Sequence, residues 1–208
     1  MKKMHLISLV LMLVLVSCDS SQKKVSDKGN VPSLAPPKAL NDEWSKWLIG
    51  DWQGWAKSDL GKYKNWVIGN CRLHIQLDLD GQFLIREGWS RVLSLSDDYI
   101  KQLKSQGLAD SDIEKMRNKT FRSMEIYTID PKTGEIAAYL FDSFRCVAKG
   151  TGKREDNKET INWVWSVGGQ GSSIRVTEKI GDNKFRSTEK YSLPGGSAME
   201  DTIEMNRD

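Results

Sequence analysis

Between Val67 and Asp78 the chain alternates strictly. Val67, Cys71, Leu73, Ile75 and Leu77 share one parity, while Ile68, Asn70, Arg72, His74, Gln76 and Asp78 take the other. A period of two sends successive side chains to opposite faces, so this stretch predicts a half-buried strand with His74 on its polar side. Asp80-Gly81 is a tight-turn dipeptide, and the return strand carries Phe83, Ile85 and Trp89 at even spacing. Upstream the period differs. Asn41-Asp42-Glu43 followed by Trp44, Trp47 and Leu48 has the capping residues and the i, i+3, i+4 spacing of a short amphipathic helix.

Alternation breaks over residues 96–119. Ser96-Asp97-Asp98 before Tyr99, Ile100 and Leu103, a stop at Gly107, and a fresh start at Ser111-Asp112 predict two short helices inserted between hairpin strands. Insertions of this kind serve as lids or as surface decoration. Strand patterns resume at 121–129 and 136–141, then at 144–148, 161–167, 173–180, 185–193 and 199–207. Turn chemistry separates them at Asp130-Pro131-Lys132-Thr133-Gly134, Gly181-Asp182-Asn183 and Pro194-Gly195-Gly196. Short strands joined by hairpin-length turns predict an all-β, up-and-down antiparallel sandwich or barrel. A closed barrel is the better solution because it leaves no strand edge exposed.

The N-terminus changes the picture. Lys2 and Lys3 precede an apolar run, 6–16, too short to span a bilayer, which is the layout of a secretory signal over residues 1–17. Leu15-Val16-Ser17-Cys18 resembles the bacterial lipobox. That resemblance implies cleavage before Cys18, lipidation of its sulfur, and anchoring to an envelope membrane facing the periplasm or exterior; plain export with a chance cysteine is the alternative. Residues 18–40 are polar and then proline-bearing, with too little apolar surface to offset ordering, and read as a tether. Residues 41–208 are then one folded domain. Two of the three excess positive charges leave with Lys2 and Lys3. The remaining body has no basic face or run, which argues against nucleic acid. Cys71 and Cys146 remain in an oxidising compartment, either as a disulfide or as two buried thiols.

Residues 47–58, WLIGDWQGWAKS, place three tryptophans and two glycines in twelve positions. Gly50-Asp51-Trp52, after a short helix and opening the first strand, resembles the Gly-x-Trp signature of lipocalin-like, or calycin, barrels. Together with Leu79-Asp80-Gly81-Gln82-Phe83 and Tyr127-Thr128-Ile129-Asp130, it resembles an uncharacterised bacterial family of such domains, distantly similar to the nitrobindins. The resemblance implies that Trp52 plugs the closed end and that a basic residue from the far end of the chain covers it. Here that residue is Arg207, on the parity of Met199, Ile203 and Met205.

Candidate chemistry is sparse. No phosphate loop, paired-cysteine metal motif or nucleophile elbow occurs, so no cofactor and no metal is expected. Haem binding in nitrobindins uses a late histidine; His74 is early and on a polar face, so a solvated side chain is the better reading. Glu178, Glu189 and Asp201 take the parity of apolar neighbours on the last strands. They line a wet cavity, pair with Arg91, or betray a parity error at a bulge. Trp163 and Trp165 share a face, as core filling or as the wall of an apolar cavity. Binding of a small, partly apolar molecule is the leading reading, with Trp89, Trp163, Trp165 and Tyr191 lining the site and Glu178 and Glu189 as polar anchors. An enzyme using inward carboxylates and a filled, partner-binding module are the alternatives.

Overall fold

The computed structural model describes residues 39–61, 63–167, 171–192 and 198–208. The expected signal segment, Cys18, nearly all of the expected tether and the expected turn at Pro194-Gly195-Gly196 lie outside the described residues. Among the described residues ten strands close into one antiparallel barrel: β1 (Gly50–Leu60), β2 (Tyr63–Asp78), β3 (Phe83–Leu95), β4 (Thr120–Ile129), β5 (Ile136–Asp142), β6 (Val147–Glu155), β7 (Lys158–Val167), β8 (Ser172–Gly181), β9 (Lys184–Ser192) and β10 (Ala198–Arg207). Each pairs with its sequence neighbour, and β1 closes the ring on β10 with Trp52 opposite Arg207. No edge strand is left unpaired by this arrangement.

Helix α1 (Glu43–Leu48) precedes the barrel, its N-cap Asp42 accepting a hydrogen bond from the Ser45 backbone N–H at 2.9 Å. Helices α2 (Asp97–Ser105) and α3 (Asp110–Asn118) join β3 to β4 at the opposite end. Ser96 caps α2 through the Tyr99 N–H. The insertion has its own small core, in which Leu103 and Ile113 bury against Leu95 with Tyr99 and Val92 alongside. Trp66 of β2 meets Tyr99 edge-on at 4.3 Å.

Alternation places Cys71, Leu73 and Ile75 of β2 inside and turns His74 outward, where its Nδ1 lies 2.8 Å from Asp51. Two strands differ from the sequence expectation. On β3 the buried positions are Leu84, Arg86 and Gly88, so Phe83, Ile85 and Trp89 take the outward parity. On β8 they are Ser173, Arg175 and Thr177, which turns Val176, Glu178 and Ile180 outward. The physical reason is the same in both strands. The lumen holds charged and hydroxyl groups, so the more apolar face of each strand is the outer one. Cys71 and Cys146 are not joined by a disulfide: Cys71 points into the lumen from β2, and Cys146 belongs to the turn between β5 and β6.

Candidate functional site

The lumen has two storeys. At the closed end Trp52 is 1% exposed and packs edge-on against Phe185 at 4.9 Å and Trp47 at 5.4 Å. Its indole N–H donates to the Leu48 carbonyl at 2.8 Å. Arg207 lies over the same ring with its guanidinium carbon 4.4 Å from the centroid, and donates to the carbonyls of Ile49, at 2.6 Å, and Trp47. The last carbonyls of a helix have no partner within it. Here Trp52 and Arg207 supply the donors.

The two glycines of the motif make this approach possible. Gly50 adopts φ +131°, and a Cβ there would sit 2.9 Å from Arg207 Nη1. At Gly54 a Cβ would fall 1.8 Å from the Glu204 carbonyl oxygen, so any side chain would push β10 away. Arg154 fastens the helix to the barrel from the other side, donating to Asp42 at 3.0 Å, Ser45 at 2.8 Å and Glu159 at 2.7 Å.

Above this floor an ionic belt crosses the lumen. Arg175 of β8 donates two parallel hydrogen bonds of 2.7 Å to Glu125 of β4. Three strands separate β4 from β8 on one side and five on the other, so the pair spans the interior. Tyr127 bonds both partners, and the Trp163 ring lies 5.0 Å from the Arg175 guanidinium. Burial opposes charge on Glu125, but Arg175 and Arg86 outweigh it and hold the carboxyl below its ordinary range. Burial likewise opposes the Arg175 charge, and Glu125 outweighs it, leaving the guanidinium firmly protonated.

Arg86 of β3 completes the belt on different terms. It is 8% exposed, its Nη1 stands 3.8 Å from Glu125 Oε2, beyond hydrogen-bond length, and its Nε is buried with no hydrogen-bond partner. Burial, with the like charge of Arg175 adding to it and Glu125 opposing, lowers its affinity for the proton.

Over the belt lies a cavity of about 310 Å³. A barrel of about eight strands is just wide enough for side chains to fill, so ten leave space. Its apolar wall includes Leu73, Leu140, Trp165 and Ile203, and its polar groups include Arg86, Arg175, Glu125, Glu189, Tyr191 and Asp201, with Arg91 and Asp142 also on the lining. Glu189 and Asp201 oppose one another in register on β9 and β10. Ser173 donates to Glu189 at 2.5 Å and Tyr191 donates to Asp201 at 3.0 Å. Burial raises both carboxyls, which favours their neutral forms, and raises the Tyr191 phenol as well. Cys71 also borders the cavity, its thiol pushed up to about 11 by burial and so a poor nucleophile.

The sequence-predicted residues do not fall in one place. Trp165, Glu189 and Tyr191 line the cavity. Trp163, 0% exposed, belongs to the packed core beneath it. Glu178 stands on the outer wall, paired with Lys158 at 2.8 Å, and its side chain is 40% exposed. Trp89 borders the cavity from β3, yet it has the outward parity, and its ring lies 5.8 Å from the Arg122 guanidinium on the outer face. Arg91 donates to Asn118 at the exposed mouth. Arg86, Glu125 and Arg175 were not found by sequence reasoning. The available signal was parity: Arg86 shares a face with Leu84 and Gly88, and Glu125 with Tyr127.

No family model matches the chain, and no curated protein does. Among solved structures the chain is similar to one described as EF1p2_mFAP2b bound to DFHBI, at 11% sequence identity, covering 79% of this chain and 96% of that one, with a TM-score of 0.39. Among the described residues no group of three or more His, Cys, Asp or Glu side chains is placed to hold a metal ion.

Proposed function

We propose that the protein binds a small, partly apolar molecule in the upper lumen of its barrel, as an envelope lipoprotein held to the membrane through Cys18. One observation carries the binding reading: a cavity of about 310 Å³ with an apolar wall and convergent polar groups above a fully packed floor. Binding sites of small molecules combine those features at about 300–1,000 Å³. A filled, purely structural barrel would have no reason to keep buried Arg86 short of hydrogen-bond partners at a cavity wall.

Native mass spectrometry of the full chain extracted gently from cell envelopes tests the reading. The expected result is a bound mass of small-molecule size that disappears on denaturation. Apoprotein in every preparation, with no displacement of a polarity-sensitive dye from the lumen, would overturn it. The anchoring half has a separate readout. The mature chain should begin at Cys18 and carry the mass of a lipid modification, whereas an unmodified N-terminus beyond Cys18 would remove that part.

A further inference from the structure

The polar groups of the cavity differ in how well they are partnered, and the difference points to ligand chemistry. Arg175 is hydrogen-bonded through both terminal nitrogens, to Glu125 and Tyr127, although its Nε, like that of Arg86, is buried without a partner. Glu189 has a hydroxyl partner, and Asp201 has one on Oδ2 while its Oδ1 is buried without one. Arg86 has a buried, unpartnered Nε and a Glu125 contact too long for a hydrogen bond, although its side chain borders the cavity. A buried cation without hydrogen bonds is costly, and an arginine fork matches an acid group geometrically.

The charge balance runs the same way. Of the ionic groups bordering the cavity, Glu125 serves two guanidiniums at once, and burial drives Glu189 and Asp201 towards their neutral forms. In the belt itself two guanidiniums meet one carboxylate, an excess of one positive charge that one anion would balance. The opposite part of the lining, with Leu73, Leu140, Trp165 and Ile203, offers apolar contact. At about 30 Å³ for each water-sized group, the volume holds about ten such groups.

We infer that the ligand is a singly charged acidic amphiphile, its acid group seated on Arg86 and its short apolar body packed along Leu73, Leu140, Trp165 and Ile203. This rests on the cavity-binding reading above and adds the head-group chemistry to it. The anion accepts hydrogen bonds from Arg86, while Glu189 and Asp201 are engaged by the Ser173 and Tyr191 hydroxyls.

The test titrates the full chain with three probes of one chain length, octanoate, octanol and octylammonium, read by the fluorescence of Trp165 against a Trp165→Phe control and by calorimetry. Octanoate should bind at least about tenfold more tightly than octanol, the effect of one charged hydrogen bond. Arg86→Met should bring the two within about twofold while octanol affinity holds, and Arg86→Lys should keep part of the preference. Equal binding of octanoate and octanol by the unaltered protein would overturn the acid-group inference and leave the cavity reading standing. Tightest binding of octylammonium would overturn it too and make Glu189 and Asp201 the anchors. No binding of any probe by folded protein would overturn both. The comparison among probes on the unaltered chain decides the matter even where Arg86→Met fails to fold.

Discussion

The two storeys of the lumen handle buried polarity in opposite ways. At the closed end the polar groups of Trp52 and Arg207 complete the last carbonyls of α1, with Phe185 and Trp47 against the indole. That end is finished as a core. In the upper storey two guanidiniums share one carboxylate, and the Nε atoms of both Arg86 and Arg175 are buried without partners. Replacing buried ions with apolar residues of similar volume is often neutral or stabilising. Their presence beside a cavity is therefore better accounted for by binding than by stability.

The contrast can be broken by mutation, beginning with its largest member. Trp52→Ala removes the plug from a site that cannot collapse and should destabilise the barrel by about 3–5 kcal/mol, read as a lower urea midpoint at constant slope. Glu125→Leu leaves two buried guanidiniums uncompensated and should lose about 3 kcal/mol. Adding Arg175→Met to it should recover at least part of that loss. A double-mutant cycle showing simple additivity would mean that the belt does not act as a unit.

Arg207→Met keeps much of the bulk over Trp52 but loses the cation and two donors, and should cost about 2 kcal/mol. If the closed end is finished as described, this loss should not change ligand affinity. A change in affinity would show that the two storeys are coupled.

Smaller effects separate Glu189 from Glu178. The folded-state pKa of Glu189 is raised, chiefly by burial, with Glu125 and Asp201 adding to the rise while Arg175 and the Ser173 hydrogen bond oppose it. Its contribution to stability is thus fully present below the ordinary carboxyl value of 4.5 and is lost as pH rises through the folded value. Glu189→Gln removes that loss, so its melting temperature relative to the unaltered chain should climb as pH increases from 4.5 towards neutrality. Glu125 has the opposite sign: its stabilisation is present above 4.5 and fades on acidification. Glu178→Ala, on the exposed outer wall, should change stability by less than about 0.5 kcal/mol and leave probe binding unaltered.

Period-two patterning was legible wherever one face of a strand is apolar. On β2, Cys71, Leu73 and Ile75 stand against polar neighbours, and both strand and facing follow. It misled on β8. Ile174, Val176 and Ile180 form the more hydrophobic face, but Ser173, Arg175 and Thr177 are the ones inside, because the wall they join is polar. A one-residue change of parity exchanges the two faces completely, which is why Glu178 was read as inward and Arg175 was not. The last strand had no such ambiguity, since Met205 and Arg207 share a parity with Ile203.

The order of elements, the helical insertion after β3 and the need for glycine beside Trp52 were written into the sequence, because turn chemistry, capping and alternation are local properties of the chain. Which face of β3 and β8 turns inward, and that Glu125 meets Arg175 across the barrel, were settled only when ten strands closed into a ring. Closure brings residues 50 positions apart onto opposite walls, and no local pattern encodes a partner on the far side. The cavity is a consequence of the same closure: its size depends on strand number, and its chemistry on which side chains meet once the ring is complete.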